Sequence, residues 1–113
     1  MADSLPFEIN AVEASALLNT PPPGLRLVDV REPEEYAVCR IDRAELMPLV
    51  ALPHEALTKL VDRDARILVY CHHGMRSLRA VEMLRHLGYP NAQSVAGGIE
   101  NWSVEIDPAV PRY

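Results

Sequence analysis

The sequence predicts an α/β fold, namely an open, mainly parallel five-stranded sheet with helices on both faces. Strand and helix patterns alternate along the chain, as they do in successive βαβ units. The run at 67–70 is continuously apolar, which is typical of a central parallel strand covered on both sides. Because the sequence contains no internal repeat or long linker, we expect one domain over 1–113, with its core at about 9–104 and a tail at 105–113.

The first half of the chain predicts three strands and three helices. A short strand at 7–9 precedes a helix that starts at Asn10, where Asn10 and Glu13 form a capping-box pattern. The apolar residues expected on the buried side of that helix are Val12, Leu17 and Leu18. The next elements are predicted at 25–30 (strand), 33–38 (helix, with Pro33 in its first turn), 44–47 (strand) and 53–61 (helix, with apolar Ala56, Leu57, Leu60 and Val61).

The second half carries the strongest patterns. The central strand at 67–70 is followed by a helix at 77–87, and Gly88 is expected to end that helix in the left-handed conformation. A last strand at 93–95 and a last helix at 98–104 complete the alternation. The apolar side of the 77–87 helix is formed by Leu78, Val81, Leu84 and Leu87.

Composition excludes several functional classes. Apolar residues make up 49% of the chain and charged residues 24%, as in ordinary globular domains. Lys and Arg number 11 against 16 Asp and Glu, a net charge of −5, so general nucleic-acid binding is not expected. Residues 1–6 lack the features of a secretory signal, and no apolar run is long enough to span a membrane. The two cysteines could form one disulfide, but because no export signal is found we expect a cytoplasmic protein with free thiols.

Cys71 lies where this fold class places its ligands, after the strongest strand and before the strongest helix. In the loop at 71–77, Gly74 permits a tight turn that directs successive backbone N–H groups toward one point. The N-terminal end of the next helix and the positive charge of Arg76 favour a thiolate there. The alternative is a small buried cysteine that only packs. The combination favours a nucleophilic thiolate in an anion-binding pocket.

Three segments resemble the signatures of the rhodanese family. Residues 27–36 contain the pattern D-V-R-x-x-x-E-[FY], and residues 71–77 contain C-x-x-G-x-R-S, which is similar to the active-site loop of that family. Residues 97–102 contain G-G-I-x-x-W, which resembles its C-terminal signature. The segments occur in the family's order and, with the first strand, span about 9–102, so together they are highly specific.

The resemblance implies a single-domain thiosulfate sulfurtransferase with Cys71 as its catalytic residue. The Cys71 thiolate would take a sulfur from an anionic donor such as thiosulfate, and the resulting persulfide would pass it to cyanide, a thiol or a protein with ping-pong kinetics. The same resemblance implies supporting roles for Asp29, Arg31 and Ser77. The residues whose main chain would bind the sulfur anion are His72, His73, Gly74, Met75 and Arg76.

No cofactor is expected, and the expected partners are a small anionic sulfur donor and a protein donor or acceptor. We expect neither nucleic acid nor membrane as a partner, and a monomer is the default state. A metal site at Cys71, His72 and His73 is rejected because three adjacent residues rarely converge on one ion. His54 and His86 are expected on helix surfaces.

Two segments add to or depart from the family pattern. Its usual G-H-I-x-G-A corresponds here to residues 39–44, of which only Ile41 and Ala44 match, so the loop geometry there is open. Arg40 and Arg43 are expected to make this edge more basic and suited to an acidic partner. The tail after Trp102 is similar to the ends of rhodanese domains fused to enzymes that activate sulfur-carrier proteins, although simple packing on the domain is the favoured interpretation.

Other functions were weighed against sulfur transfer. Phosphatases of related fold use Cys-x5-Arg, whereas four residues separate Cys71 from Arg76, which predicts a smaller cradle suited to one sulfur. A non-catalytic regulatory module of the same family is the main alternative, but such modules generally lack the cysteine. Cys39 is either a resolving thiol for oxidised Cys71 or a packed small residue, and packing is favoured.

Overall fold

The computed structural model describes residues 5–113 and confirms the predicted alternation of strands and helices. The strands are β1 (Glu8–Ile9), β2 (Arg26–Asp29), β3 (Glu45–Leu46), β4 (Ile67–Tyr70) and β5 (Ala92–Val95). The helices are α1 (Ala11–Asn19), α2 (Pro33–Val38), α3 (Leu52–Lys59), α4 (Met75–His86) and α5 (Gly98–Glu105). In this part of the chain no helix is both long enough and apolar enough to cross a bilayer. The expectation about an export signal rests on residues 1–6, of which residues 1–4 lie outside the described part.

The five strands form one sheet in the order β1-β5-β4-β2-β3, and every neighbouring pair is parallel. Strand β4 lies at the centre, and its last residue, Tyr70, is in register with Asp29 of β2. The N–H of Val30 then donates to the carbonyl of Tyr70 at 3.1 Å. The segments that follow β2 and β4 therefore begin side by side at one edge of the sheet, which is where an open parallel sheet binds its ligands.

The side chains of β4 alternate between two apolar cores. Ile67 and Val69 pack with α3 and α4, whereas Leu68 and Tyr70 pack with α1 and α5. All four residues of the strand are buried, as expected for a central strand with helices on both faces. The predicted fold is therefore confirmed, including the two covering layers.

The N-terminal helix differs from the prediction in which side it buries. Asn10 caps it as expected, with its side-chain oxygen accepting the N–H of Glu13 at 2.8 Å. Val12, however, is 59% exposed, and the buried positions are Ala11 and Ala14. These small residues let α1 approach α5 closely, while Leu17 and Leu18 only border the core.

Helix α3 shows a similar rotation relative to the predicted side. The helix begins at Leu52, and the buried series is Leu52, Ala56 and Leu60, at four-residue spacing. Leu57 and Val61 were expected inside but are 50% and 75% exposed. Leu52 decides the orientation because it is fully buried against the sheet.

Candidate active site

Cys71 follows β4 directly and is 2% exposed. Its sulfur accepts the backbone N–H of Gly74 at 3.1 Å and that of Ser77 at 3.3 Å. Helix α4 begins at Met75, so the sulfur lies at the first turn of a twelve-residue helix. Main-chain donors and the positive end of a helix both stabilise negative charge, so this geometry favours a thiolate.

Gly74 makes this arrangement possible. It has φ +103°, in the left-handed region that residues with a Cβ rarely occupy. A Cβ here would also lie 3.1 Å from the backbone nitrogen of Gly97, so the loop and the start of α5 are in close contact. The predicted turn at Gly74 is therefore present, and its sharpness directs the Gly74 N–H toward the sulfur.

Helix α5 orients the loop from its other side. The N–H of Ile99 donates to the carbonyl of Cys71 at 2.8 Å, and the N–H of Glu100 donates to the carbonyl of His72 at 3.1 Å. A Cβ at Gly98 would lie 2.5 Å from that His72 oxygen, and Gly98 itself has φ +61°. The first turn of α5 thus holds the loop carbonyls. The G-G-I segment was not among the predicted site residues, although a pair of glycines is a signal of close backbone approach.

The hydroxyl of Ser77 completes the surroundings of the sulfur. It lies 3.5 Å from the Cys71 sulfur, 3.2 Å from the carbonyl of Gly74 and 2.7 Å from the hydroxyl of Ser94. Ser94 is fully buried on β5 and was not among the predicted site residues. The signal that could have indicated it is a serine in the middle of a strand whose residues are all buried.

The positive charge of Arg76 is paired with the carboxylate of Glu35. Its guanidinium forms a two-pronged ion pair with Glu35 on α2, with distances of 2.6 and 2.9 Å. The hydrogen bonds from Arg76 hold the pKa of Glu35 at about 2, well below its ordinary value. Arg76 therefore ties the loop to α2, and its charge, which interacts with the nearby Cys71, is shared with a carboxylate.

An aromatic stack lies beside the loop. The ring of His72 is 3.9 Å from that of His73 and 3.9 Å from that of Tyr113, with which it is nearly parallel. Burial, followed by the charge of neighbouring His73, lowers the pKa of His72, so its ring is neutral near pH 7. His73 and Met75 are exposed, with Met75 at 75%. Met75 therefore belongs to the site through its main chain.

Tyr113 links this stack to the first signature. Its hydroxyl accepts a hydrogen bond from Arg31 at 2.7 Å and donates one to Glu35 at 2.7 Å. Burial, with a smaller effect from Glu35, raises the pKa of Tyr113 to about 12, so the hydroxyl keeps its proton. The tail was expected merely to pack on the domain, whereas the Tyr113 side chain lies at the edge of the site.

Asp29 and Arg31 form a buried ion pair beneath the loop, with a shortest distance of 2.7 Å. Arg31 also donates to the carbonyl of Cys39 at 2.6 Å. Burial alone would lower the pKa of Arg31, but hydrogen bonds with Asp29 and Tyr113 outweigh it, so the pKa is raised and the charge is permanent. Both residues are fully buried, and the supporting role that the family resemblance implies for them stays a prediction.

The segment at 39–44 contains a left-handed residue at a position where the family pattern has glycine. Arg43 occupies the position of the family glycine and adopts φ +72°, the only positive value at a non-glycine residue among those described. Its guanidinium donates to the carbonyl of Leu18 at 2.6 Å, which fixes the strained residue. The nearby cavity of about 620 Å³ is lined by Arg40 and Arg43 but also by Asp42 and Asp107, so this edge is mixed in charge rather than basic.

Comparison with known proteins identifies the family to which this chain belongs. The sequence model of the rhodanese-like domain family matches residues 10–105. The adenylyltransferase and sulfurtransferase uba4 of Ogataea parapolymorpha is 40% identical over 87 residues, which are 77% of this chain and 22% of that protein. The probable adenylyltransferase/sulfurtransferase MoeZ of Mycobacterium tuberculosis is 34% identical over 90 residues, covering 79% and 23%. This chain thus spans about a fifth of the length of these relatives.

Solved structures of small proteins match along their whole length. The human single-domain sulfurtransferase TSTD1 superposes with a TM-score of 0.79 at 26% identity, covering 89% of this chain and 98% of the human one. A rhodanese-related protein of Thermoplasma volcanium gives a TM-score of 0.76 at 34% identity, covering 94% and 98%. The fold of this chain is therefore shared with small proteins, one of which is described as a single-domain sulfurtransferase.

Proposed function

Because the chain belongs to the rhodanese-like domain family, we propose that it is a sulfurtransferase that carries sulfur as a persulfide on Cys71. Its relatives are described as sulfurtransferases, which supports sulfur transfer in general. The donor in this proposal is thiosulfate or another anionic sulfane compound, and the acceptor is a thiol, cyanide or a protein. The observation that carries the proposal is the pair of backbone N–H groups directed at the Cys71 sulfur.

The first half-reaction needs a thiolate and an anion at the same place. The Cys71 thiolate attacks the outer sulfur of thiosulfate, a sulfur–sulfur bond forms, and the bond to the sulfonate breaks with its electron pair leaving on sulfite. The protein is left with a cysteine persulfide anion. Main-chain donors from His72 to Arg76 and the first turn of α4 would hold that anion, since such groups stabilise negative charge without becoming charged themselves.

The second half-reaction returns the enzyme to its starting state. A nucleophile such as cyanide attacks the terminal sulfur, takes it as thiocyanate, and the electron pair of the broken sulfur–sulfur bond returns to Cys71 as thiolate. No redox partner is needed, because the sulfane sulfur moves between nucleophiles. Covalent storage of the sulfur separates donor from acceptor, so this scheme gives ping-pong kinetics.

The descriptions of the relatives support a protein as the acceptor in this proposal. Two of them are described as both adenylyltransferases and sulfurtransferases, and this chain corresponds to about a fifth of each. In the proposal, a domain of this kind supplies sulfur to a protein group that has been activated by adenylylation. The half-buried stack of His72 and Tyr113 at the edge of the site is the surface that such an acceptor would meet.

Mass spectrometry after thiosulfate treatment tests the proposal. The intact protein should gain the mass of one sulfur atom, and cyanide should remove it with formation of thiocyanate. Cys71→Ser should abolish the gain, whereas Cys39→Ser is the matched control and should keep it. If the wild-type protein gains nothing from thiosulfate, polysulfide or a persulfide donor, the catalytic proposal fails and a non-catalytic binding module becomes the better interpretation.

A further inference from the structure

We propose that Ser94 is a positioning residue that directs the hydroxyl of Ser77 toward the Cys71 sulfur whenever that sulfur is a thiolate. The inference deepens the proposed function, since it takes Cys71 as the nucleophile. Ser94 lies on β5, the strand that follows α4 in the chain and neighbours β4 in the sheet. Among the described hydrogen bonds it has none to the Cys71 sulfur. Ser94 would act only through Ser77.

The direction of the Ser94 proton follows from burial. Ser94 is completely buried, and among the described residues the hydroxyl of Ser77, at 2.7 Å, is the single hydrogen-bond partner of its own hydroxyl. A buried hydroxyl proton without an acceptor is strongly unfavourable. Ser94 therefore donates to Ser77, and this leaves the Ser77 proton free to point elsewhere.

Ser77 has two acceptors for that proton, and the state of Cys71 decides between them. With Cys71 as a thiol, the S–H donates to the Ser77 oxygen across 3.5 Å and Ser77 donates to the carbonyl of Gly74 at 3.2 Å. With Cys71 as a thiolate, the S–H is gone and the Ser77 hydroxyl turns its proton to the sulfur. The Gly74 carbonyl is not left without a partner, because the N–H of Leu78 still donates to it at 3.2 Å.

The switch therefore needs only a rotation of one hydroxyl proton and no movement of heavy atoms. In the thiolate state the sulfur has three donors: the N–H groups of Gly74 and Ser77, and the Ser77 hydroxyl. A hydroxyl that accepts one hydrogen bond donates a stronger one, so the bond from Ser94 strengthens the bond from Ser77 to the sulfur. Removing Ser94 leaves Ser77 in place but weakens it as a donor to the thiolate.

The rate of alkylation of Cys71 by iodoacetamide, followed by mass spectrometry across pH, measures this effect without any sulfur donor. We expect Ser94→Ala to shift the profile to higher pH and to slow the reaction about threefold at pH 7, with an unchanged rate at high pH where all of the sulfur is thiolate. Ser77→Ala should shift the profile further. Ser103→Ala is the matched control, since it removes another buried hydroxyl, which donates to the carbonyl of Val110 at 2.6 Å.

The double variant distinguishes an effect of Ser94 that passes through Ser77 from a general effect on packing. If Ser94 acts through Ser77, the profile of Ser77→Ala/Ser94→Ala should coincide with that of Ser77→Ala alone. An unshifted profile in Ser94→Ala, or an equal further shift in the double variant, overturns the inference. Chemical denaturation of the same samples reports any loss of folding, since both cysteines are buried and alkylation alone does not distinguish opening of the fold. Because the alkylation assay uses no sulfur donor, its outcome can contradict the role of Ser94 without contradicting the proposed sulfur transfer, and the reverse also holds.

Discussion

Cys71 and Cys39 are both nearly inaccessible to solvent, at 2% and 8% exposure, but the fold uses them differently. The sulfur of Cys71 accepts two backbone N–H groups at 3.1 and 3.3 Å. Among the described residues, the only hydrogen-bond contact of the Cys39 sulfur is a long one, at 4.0 Å, with Arg31. The carbonyl of Cys39 accepts a shorter bond, at 2.6 Å, from the same guanidinium. Burial therefore does not separate a nucleophile from a packed thiol, whereas the direction of the main-chain donors does.

The two thiols also lie in different cores. Cys71 packs in the core that contains α3 and α4, and Cys39 in the core that contains α1 and α5, on the opposite face of the sheet. This separation favours the packing role for Cys39 over the resolving role. Mild peroxide followed by a non-reducing digest remains the direct check, with no linked Cys39–Cys71 peptide expected.

The largest expected effect comes from filling the space that keeps the Cys71 loop in shape. Gly98→Ala places a Cβ against the carbonyls of Cys71 and His72 at a residue with φ +61°. The clash and the left-handed strain together should lower the free energy of unfolding by about 3 kcal/mol. The displaced loop should also slow persulfide formation at least about tenfold, which stopped-flow mixing with thiosulfate would measure.

Gly24→Ala is the control for that variant. Gly24 has φ +81°, but a Cβ there would meet no atom within 4 Å. It should therefore show only the conformational cost, about 1 kcal/mol, with an unchanged rate of persulfide formation. If both variants lose the same stability and activity, close approach of α5 to the loop is not what orients the site.

An intermediate effect concerns Glu35, which joins the Cys71 loop to the helix that leads to Cys39. Its folded-state pKa of about 2 lies below the ordinary value of 4.5, so its ion pair with Arg76 stabilises the fold above pH 4.5. That contribution is lost as the pH falls from 4.5 toward 2. Chemical denaturation at several pH values should show stability decreasing over this window, and Glu35→Gln should lower stability at pH 7 and flatten the decrease.

Glu34→Gln supplies the comparison, because Glu34 is exposed on the same helix and has no ion pair among the described residues. It should leave the slope between pH 4.5 and 2 as it is in the wild-type protein. A Glu35→Gln variant that keeps the full slope would show that other carboxylates account for the acid sensitivity.

The smallest effect lies in the segment after Cys39. Arg43 holds φ +72° where a glycine would be free of strain, and its bond to Leu18 offsets part of the cost. Both Arg43→Gly and Arg43→Ala lose that bond, but only alanine keeps the strain. Thermal unfolding should therefore rank the glycine variant about 1 kcal/mol more stable than the alanine variant, with persulfide formation the same in both. Equal stabilities would mean that the backbone there is not strained.

Sequence patterns predicted the fold and the position of Cys71 because both depend on local features. The apolar run at 67–70, Gly74 and the start of the next helix are neighbours in the chain, so their spacing alone indicates a loop at the end of a strand. The buried sides of α1 and α3 were predicted less well. Val12 and Leu57 are as apolar as their neighbours, and only the packing of each helix decides which apolar residue faces the sheet.

Local patterns in the chain were sufficient to predict the alternation of elements, the central strand and the thiol at its end, because hydrophobic periodicity and turn residues act over a few positions. The tertiary structure decided the partners of that thiol: Ser94 comes from a neighbouring strand, Gly98 from the last helix and Tyr113 from the tail. Such partners meet Cys71 only after the strands are ordered β1-β5-β4-β2-β3. Contacts between distant segments depend on which strands become neighbours, and no local pattern in the chain states that order.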